Sequence, residues 1–234
     1  MTKNYKHLKK ILFFGRENCK FSDKIKKYLE NNSQSVFYIK SKKKNQKLSI
    51  KKLKNKEFDF IFSYRSFFIL KRRLINQSKN GAINFHPGTP NFRGIGAVNF
   101  AIYKNSKYYG STAHYINEKI DNGKIIDVSK FKLKKEDGVD KILKKTHKTM
   151  YLQAIRIIKN CLKDDSYYLS KRINYKWSKK LYTSEDLEKL YDISSLNNKS
   201  NLGKIIEATY SKKFKPYLKI KNQKYFLVNY DKNR

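Results

Sequence analysis

A chain of 234 residues with 39% hydrophobic and 15% aromatic side chains can bury a full core, which excludes a disordered chain. No stretch is long and apolar enough to span a bilayer, and residues 1–10 lack a cleavage-site pattern, so a cytoplasmic protein with no membrane partner is expected. The net charge of +36 points toward nucleic acid, but only eight of 55 basic residues are arginine, so a solvated lysine surface is the preferred reading.

From the N-terminus, KILFF at 10–14 is a short apolar run closed by Gly15, as expected of a buried strand. Ser22 or Asp23 can cap the helix that follows to about Asn31. The intervening turn holds one glycine, so the GxGxxG fingerprint is missing and no NAD is expected. SVFYI at 35–39 and FDFIFSY at 58–64 read as two more strands. Between them, the lysine-dense stretch 40–56 reads as a loop and short helix facing water, or as an electrostatic funnel for a phosphate-bearing substrate. SFFILKRRLINQ at 66–77 can form a helix, and AINFH at 82–86 gives the next strand. Pro87, Gly88 and Pro90 then force the chain off its sheet. AVNFAIYK at 97–104 predicts a helix, and YGSTAHYI at 109–116 and KIIDVSKFKL at 124–133 predict strands joined by an exposed NEKIDNG loop. Apolar groups from Val139 to Cys161 recur near the helical period and predict one long amphipathic helix over 139–162, capped by Asp137. Strands alternating with helices define an α/β fold, a mostly parallel sheet with helices on both faces. The pattern divides into a domain over 1–163 and a small extension over 164–234 packed on it. That extension holds TSEDLEKLY at 183–191, a helix near 200–208 and a hairpin in PYLKIKNQKYFLV.

Polar groups at the end of a buried strand usually face a site. Asn84 can donate to a developing oxyanion, His86 can donate or accept a proton near neutral pH, and Asp121 can orient a histidine or move a proton. No GxSxG elbow is present and neither cysteine neighbours a histidine, so the three residues are the parts of an acyl-transfer site without a covalent nucleophile. On residue type alone, Asn84 and Asp121 are equally readable as turn residues and His86 as a satisfied loop histidine. His114, inside a strand, reads as structural, with support of Asp121 as an alternative, while His7 and His147 read as solvent-facing. A zinc site from His86, His114 and Asp121 lacks any recognised spacing, so no metal is expected. Cys19 and Cys161 lack the paired spacing of a disulfide framework.

The blocks N-F-H-P-G-T-P-N-F-R-G, G-A-V-N-F-A-I-Y and Y-G-S-T-A-H-Y-I-N-E-K-I-D-N-G-K-I-I, in that order, resemble the signature of the 10-formyltetrahydrofolate-dependent formyltransferases. The resemblance is strong over about residues 58–130 and departs where Gly88, Thr89 and Pro90 stand in place of a common S-L-L-P. It implies a Rossmann-like formyltransferase fold, 10-formyltetrahydrofolate as formyl donor and a small-molecule amine as acceptor. Asn84, His86 and Asp121 match the family's catalytic positions, with Gly123 and Ile125 completing the D-x-G-x-I loop. The pterin is expected on Ser63, Tyr64, Arg65, Phe67, Phe68, Ile69 and Leu70, opposite Ile120 and Gly123. Phe92, Arg93, Trp177 and Tyr182 are candidates for the acceptor side. Arg93 would meet an acceptor phosphate, and Trp177 is either a platform for a sugar or base or an anchor for the extension. A 71-residue tail is intermediate in length among family members acting on glycinamide ribonucleotide, methionyl-tRNA or nucleotide-linked amino sugars, and is most like the sugar N-formyltransferases. A homodimer is compatible with this reading, and a basic RNA-binding module on the same fold is the alternative.

Overall fold

The computed structural model describes residues 7–44, 46–49, 53–166, 168, 173–194 and 201–228. Strands β1 (His7–Arg16), β2 (Ser33–Ser41), β3 (Phe60–Tyr64) and β4 (Ala82–His86) pair in parallel. A two-residue strand, β5 (Arg93–Gly94), precedes β6 (Tyr108–Tyr115), which runs antiparallel to both β4 and β7 (Ile125–Lys132). The order across this six-stranded sheet is β2-β1-β3-β4-β6-β7, mostly parallel as the sequence implies.

The central strands are apolar on both faces because both faces are covered. Alternation along β1 sends Ile11 and Phe13 to one side and Leu12 and Phe14 to the other. The first side, with Phe60, Phe62, Ile83 and Phe85, packs under α1 (Lys20–Asn32) and the 25-residue helix α4 (Val139–Lys163). Each such fully buried side chain contributes about 1.5–3 kcal/mol relative to exposure. On the second side lie Leu53, Phe68, Leu70 and Leu74. Among the described residues no helix is long and apolar enough to cross a membrane.

The helix expected over 66–77 shrinks to the single turn α2 (Arg72–Ile75). Arg65 adopts a left-handed φ of 55°, Ser41 Oγ accepts the Phe67 N–H, and Ser66 Oγ accepts the Phe68 N–H. This extended segment buries Phe68 and Leu70 together, so tertiary packing overrides the helical spacing. Leu53, within the lysine-dense stretch expected to face water, is likewise buried; residues 45 and 50–52 of that stretch lie outside the described set. The expected caps also move by a few residues. Cys19 stands at the N-cap of α1, where Ser22 is buried and its hydroxyl accepts the Arg16 N–H. Gly138 caps α4, and Asp137 instead pairs with Lys141 at 2.9 Å and Lys145 at 2.6 Å.

Helix α3 (Ala97–Tyr103) opens the second cluster of apolar groups, which the late part of the chain completes. Strand β8 (Leu181–Tyr182) pairs in parallel with β5. Helix α5 (Ser184–Tyr191) follows, entered through a capping box in which Thr183 and Asp186 satisfy each other's backbone N–H. Helix α6 (Leu202–Thr209) lies against α3, with Ile205 and Ala208 buried beside Val98 and Ala101. Strands β9 (Tyr217–Ile220) and β10 (Gln223–Phe226) form the expected hairpin, turned by Lys221 and Asn222 at φ 45° and 65°.

Candidate active site

Along β4, Ile83 and Phe85 enter the core, so Asn84 and His86 face the opposite side at the strand's end. The turn after His86 is held from β6. The Tyr109 hydroxyl donates to the Pro87 carbonyl at 2.6 Å, and the Thr112 hydroxyl to the Gly88 carbonyl at 2.7 Å. A Cβ at Gly88 would sit 2.5 Å from His86 Nε2, so glycine there keeps room for the imidazole.

Register places His114 of β6 directly across from Asn84, beside a bulge between Ala113 and His114. The Tyr115 carbonyl can only accept, so His114 Nδ1–H donates to it at 2.8 Å. Its Nε2 lies 3.2 Å from the Asn84 amide nitrogen. His114 is thus shared between Asn84 and Asp121, whose Oδ1 lies 3.5 Å from Nε2.

Asp121 sits on the loop joining β6 to β7 with a φ of 43°. Its Oδ2 accepts the Gly94 N–H at 2.9 Å and lies 3.2 Å from His86 Nδ1. Burial alone would raise its pKa, but His86, His114 and the Gly94 N–H together hold the carboxyl well below the usual carboxylate range. It is ionised at neutral pH. Arg93 fixes the loop by donating from Nε to the Asp121 carbonyl at 2.6 Å, from Nη2 to the Ile120 carbonyl at 2.9 Å, and from Nη1 to the Ser178 carbonyl at 3.1 Å. Close approach of the loop to β6 also requires Gly123, where a Cβ would lie 1.7 Å from the Tyr115 carbonyl oxygen.

Trp177 covers this group. Its Nε1–H donates to the Gly123 carbonyl at 2.8 Å, and its ring stands edge-on to His86 and His114 at 5.9 and 5.1 Å between centroids. Both nitrogens of His86 are engaged: Nδ1 by Asp121 and Nε2 by the Phe92 carbonyl, which it meets at 2.8 Å. A half-buried amide, two buried imidazoles and an ionised carboxylate gathered at one place can polarise a carbonyl and move a proton. The Cys161 thiol is pushed up to about 12 by burial and supplies no nucleophile.

Structure thus brings Asn84, His86 and Asp121 together with His114, in line with its alternative reading as a support of Asp121, and adds Gly88 and Gly94. The other candidates divide. Arg93, expected to meet an acceptor phosphate, is buried with its guanidinium turned to carbonyls. Phe92 and Tyr182 belong to the apolar cluster beneath α3, Tyr182 stacking 3.8 Å from Phe100, so neither ring is open to an acceptor. Along the expected pterin segment, Ser63, Tyr64, Phe68 and Leu70 are buried, the Tyr64 hydroxyl donating to the His147 carbonyl at 3.3 Å. Arg65 and Phe67 are half-buried, and Ile69 and Ile120 are exposed at 61% and 46%. His147 is half-buried rather than solvent-facing, and burial followed by Arg65 and Arg16 pushes it down to about 4. The His7 side chain lies outside the described residues.

Known structures share this architecture. A 4-N formyltransferase from Francisella tularensis superposes with a TM-score of 0.77 at 21% identity, over 95% of this chain and 98% of that one. An N-formyltransferase from Helicobacter canadensis, in complex with folinic acid and dTDP-3-aminofucose, gives 0.69 at 16% identity over 93% and 86%. By sequence, a methionyl-tRNA formyltransferase from Clostridium perfringens is 34% identical over 84 residues, 36% of this chain. That alignment spans only 27% of the relative's own length. The formyl transferase family model matches residues 9–157, well over half of the sequence, and the chain belongs to that family.

Proposed function

We propose that the chain moves a formyl group from 10-formyltetrahydrofolate to the amine of a nucleotide-linked amino sugar. The observation that carries this reading is the convergence of Asn84, His86 and Asp121 at one mouth of the sheet, with the carboxylate 3.2 Å from the imidazole. The acceptor nitrogen attacks the formyl carbon, a C–N bond forms, and the carbonyl π pair moves onto oxygen. Asn84 Nδ2 and His86 Nε2 donate to that oxygen, His86 exchanging the Phe92 carbonyl for the stronger, charged acceptor. Asp121 keeps the ring oriented throughout. As the intermediate collapses, the bond between the formyl carbon and the folate nitrogen breaks. The proton lost by the attacking nitrogen passes through Asp121, directly or by one water, to the departing folate nitrogen. Products are a formamide and tetrahydrofolate, with no metal required.

Phe67, Ile69 and Ile120 offer surface to the pterin, while Ser63, Tyr64, Phe68 and Leu70 support it from beneath. Residues 1–163 act as the catalytic domain and 164–234 as an extension that walls the site through Trp177. Support for a sugar acceptor comes from likeness to a sugar N-formyltransferase from Shewanella sp FDAARGOS_354, with a TM-score of 0.72 at 18% identity, and to the Helicobacter canadensis enzyme held in complex with dTDP-3-aminofucose. The curated relatives and the +36 charge favour methionyl-tRNA as the second reading. Incubating the chain with 10-formyltetrahydrofolate and a panel of nucleotide-linked amino sugars, glycinamide ribonucleotide and methionyl-tRNA, with mass detection, decides between them. Formylated sugar is expected; no formylated product from any acceptor would refute the reaction itself. Asn84→Ala should lower kcat by about 10²–10³.

A further inference from the structure

Two arginines close the ends of β1 and β3 beside the site. Arg16 Nε donates to the Arg65 carbonyl at 2.8 Å, and the Arg16 guanidinium lies 3.8 Å from the centre of the Phe67 ring. Arg65 Nη1 approaches Cys19 Sγ at 3.5 Å, at the entry to α1. Both arginines are half-buried, and among the described residues neither has a carboxylate partner. The neighbouring Glu17 turns instead to Lys42, 3.6 Å away. Burial and the field of Arg65 push Arg16 down to about 10, and the same pair helps keep His147 neutral. Like charges drawn together out of water without an acid raise the free energy of the unliganded protein, and an arriving anion relieves that cost.

Arg16 also lines a cavity of about 930 Å³, which it shares with Lys44. Lys44 follows three residues after Ser41, the β2 partner of Arg16, and its side chain is exposed. The same cavity reaches Pro87 and Gly94, the residues flanking His86 and holding Asp121. Its remaining wall includes Tyr191, Phe214 and Phe226 from the late part of the chain.

We infer that Arg16 and Lys44, with the charge of Arg65 adding to theirs, form an anion subsite that grips a phosphoryl or carboxylate group of a bound substrate in the cavity that reaches Pro87 beside His86. This deepens, and rests on, the formyl-transfer reading. Planar guanidinium groups match such oxyanions two bonds at a time, which a surface lysine cannot do. Two sources carry the chemistry: the diphosphate of a nucleotide-linked acceptor and the glutamyl carboxylates of the folate.

Calorimetric titration of the full chain with inorganic pyrophosphate tests the subsite without any turnover. Binding is expected, weakened at least tenfold by Arg16→Gln or Arg65→Gln and about threefold by Lys44→Ala, whose exposed side chain leaves the fold intact. No binding to the unsubstituted chain, or affinity unchanged in all three variants, overturns the proposal. Titration with a nucleoside diphosphate and with folinic acid then identifies the source. Loss of the first ligand in Arg16→Gln assigns the subsite to the acceptor, loss of the second to the donor, and loss of neither overturns it. Formyl transfer by the unsubstituted chain is read separately, so pyrophosphate binding without transfer refutes the reaction and leaves the subsite standing.

Discussion

The strand-end group around His86 and the hairpin of β9 and β10 are built on opposite terms. At the first, each polar side chain meets a protein partner and two glycines mark places where a methyl group would collide. At the second, Leu218, Ile220, Tyr225 and Phe226 are 43–56% exposed and β10 has no buried residue. The first region leaves little room for a change in shape, as the proposed chemistry would require of it. Geometry at the second is set by strand pairing, a two-residue turn and a few anchors at its base, among them the buried Tyr217, whose hydroxyl donates to Glu188 at 2.6 Å, and the Lys219 N–H, which donates to Ser194 Oγ at 2.6 Å.

The largest effect that breaks this comparison should come from Asp121→Asn. Shape is retained, but the charge that orients His86 is lost, and kcat should fall by roughly 10³–10⁴ with KM nearly unchanged, as steady-state kinetics would show. Next comes Gly88→Ala, where overpacking against His86 should cost about 1–3 kcal/mol in denaturant unfolding and reduce kcat at least tenfold. Gly138→Ala is its control: nothing lies within 4 Å of the added methyl, and stability should change by less than about 1 kcal/mol, the stiffer unfolded chain offsetting alanine's poor fit at the N-cap. Trp177→Phe keeps the ring but drops the bond to the Gly123 carbonyl, so a loss of about 1 kcal/mol is expected from thermal melts, with a modest rise in acceptor KM.

A further effect concerns pH and lies outside both regions, at His147. Its folded pKa is depressed from 6.5 to about 4, so the unfolded chain binds the proton more readily. Its contribution is complete above pH 6.5 and is lost as pH falls toward 4. Melting temperature followed from pH 7 to pH 4 should therefore decline less steeply in His147→Gln than in the unsubstituted chain.

The same contrast explains what could be read from the chain. Strands at 10–14, 58–64 and 82–86 were legible because both faces are buried and apolar runs report that directly. Asn84, His86 and Asp121 were legible because they recur in ordered blocks. The segment 66–71 was not, since Leu70 and Leu74 stand four apart, a helical spacing, while Phe68 and Leu70 are buried two apart on an extended backbone. β5 and β8 are two residues each, too short for any periodicity, yet they join Arg93–Gly94 to Leu181–Tyr182. The role of Arg93 escaped for a related reason, and so did the partner of Trp177, although its reading as an anchor did not: the partners lie 27, 28, 54 and 85 residues away, and no local pattern encodes such meetings.

Those long-range bonds also govern the timing of assembly. Arg93 reaches Ser178, and Trp177 reaches Gly123, across sequence that a ribosome needs several seconds to deliver at about 5–20 residues per second. Until then the nascent chain holds His86 and Asp121 without the indole that covers them. Competence for chemistry thus arrives late in synthesis, and a chain interrupted before Trp177 would keep its sheet residues while leaving its reaction centre open to water.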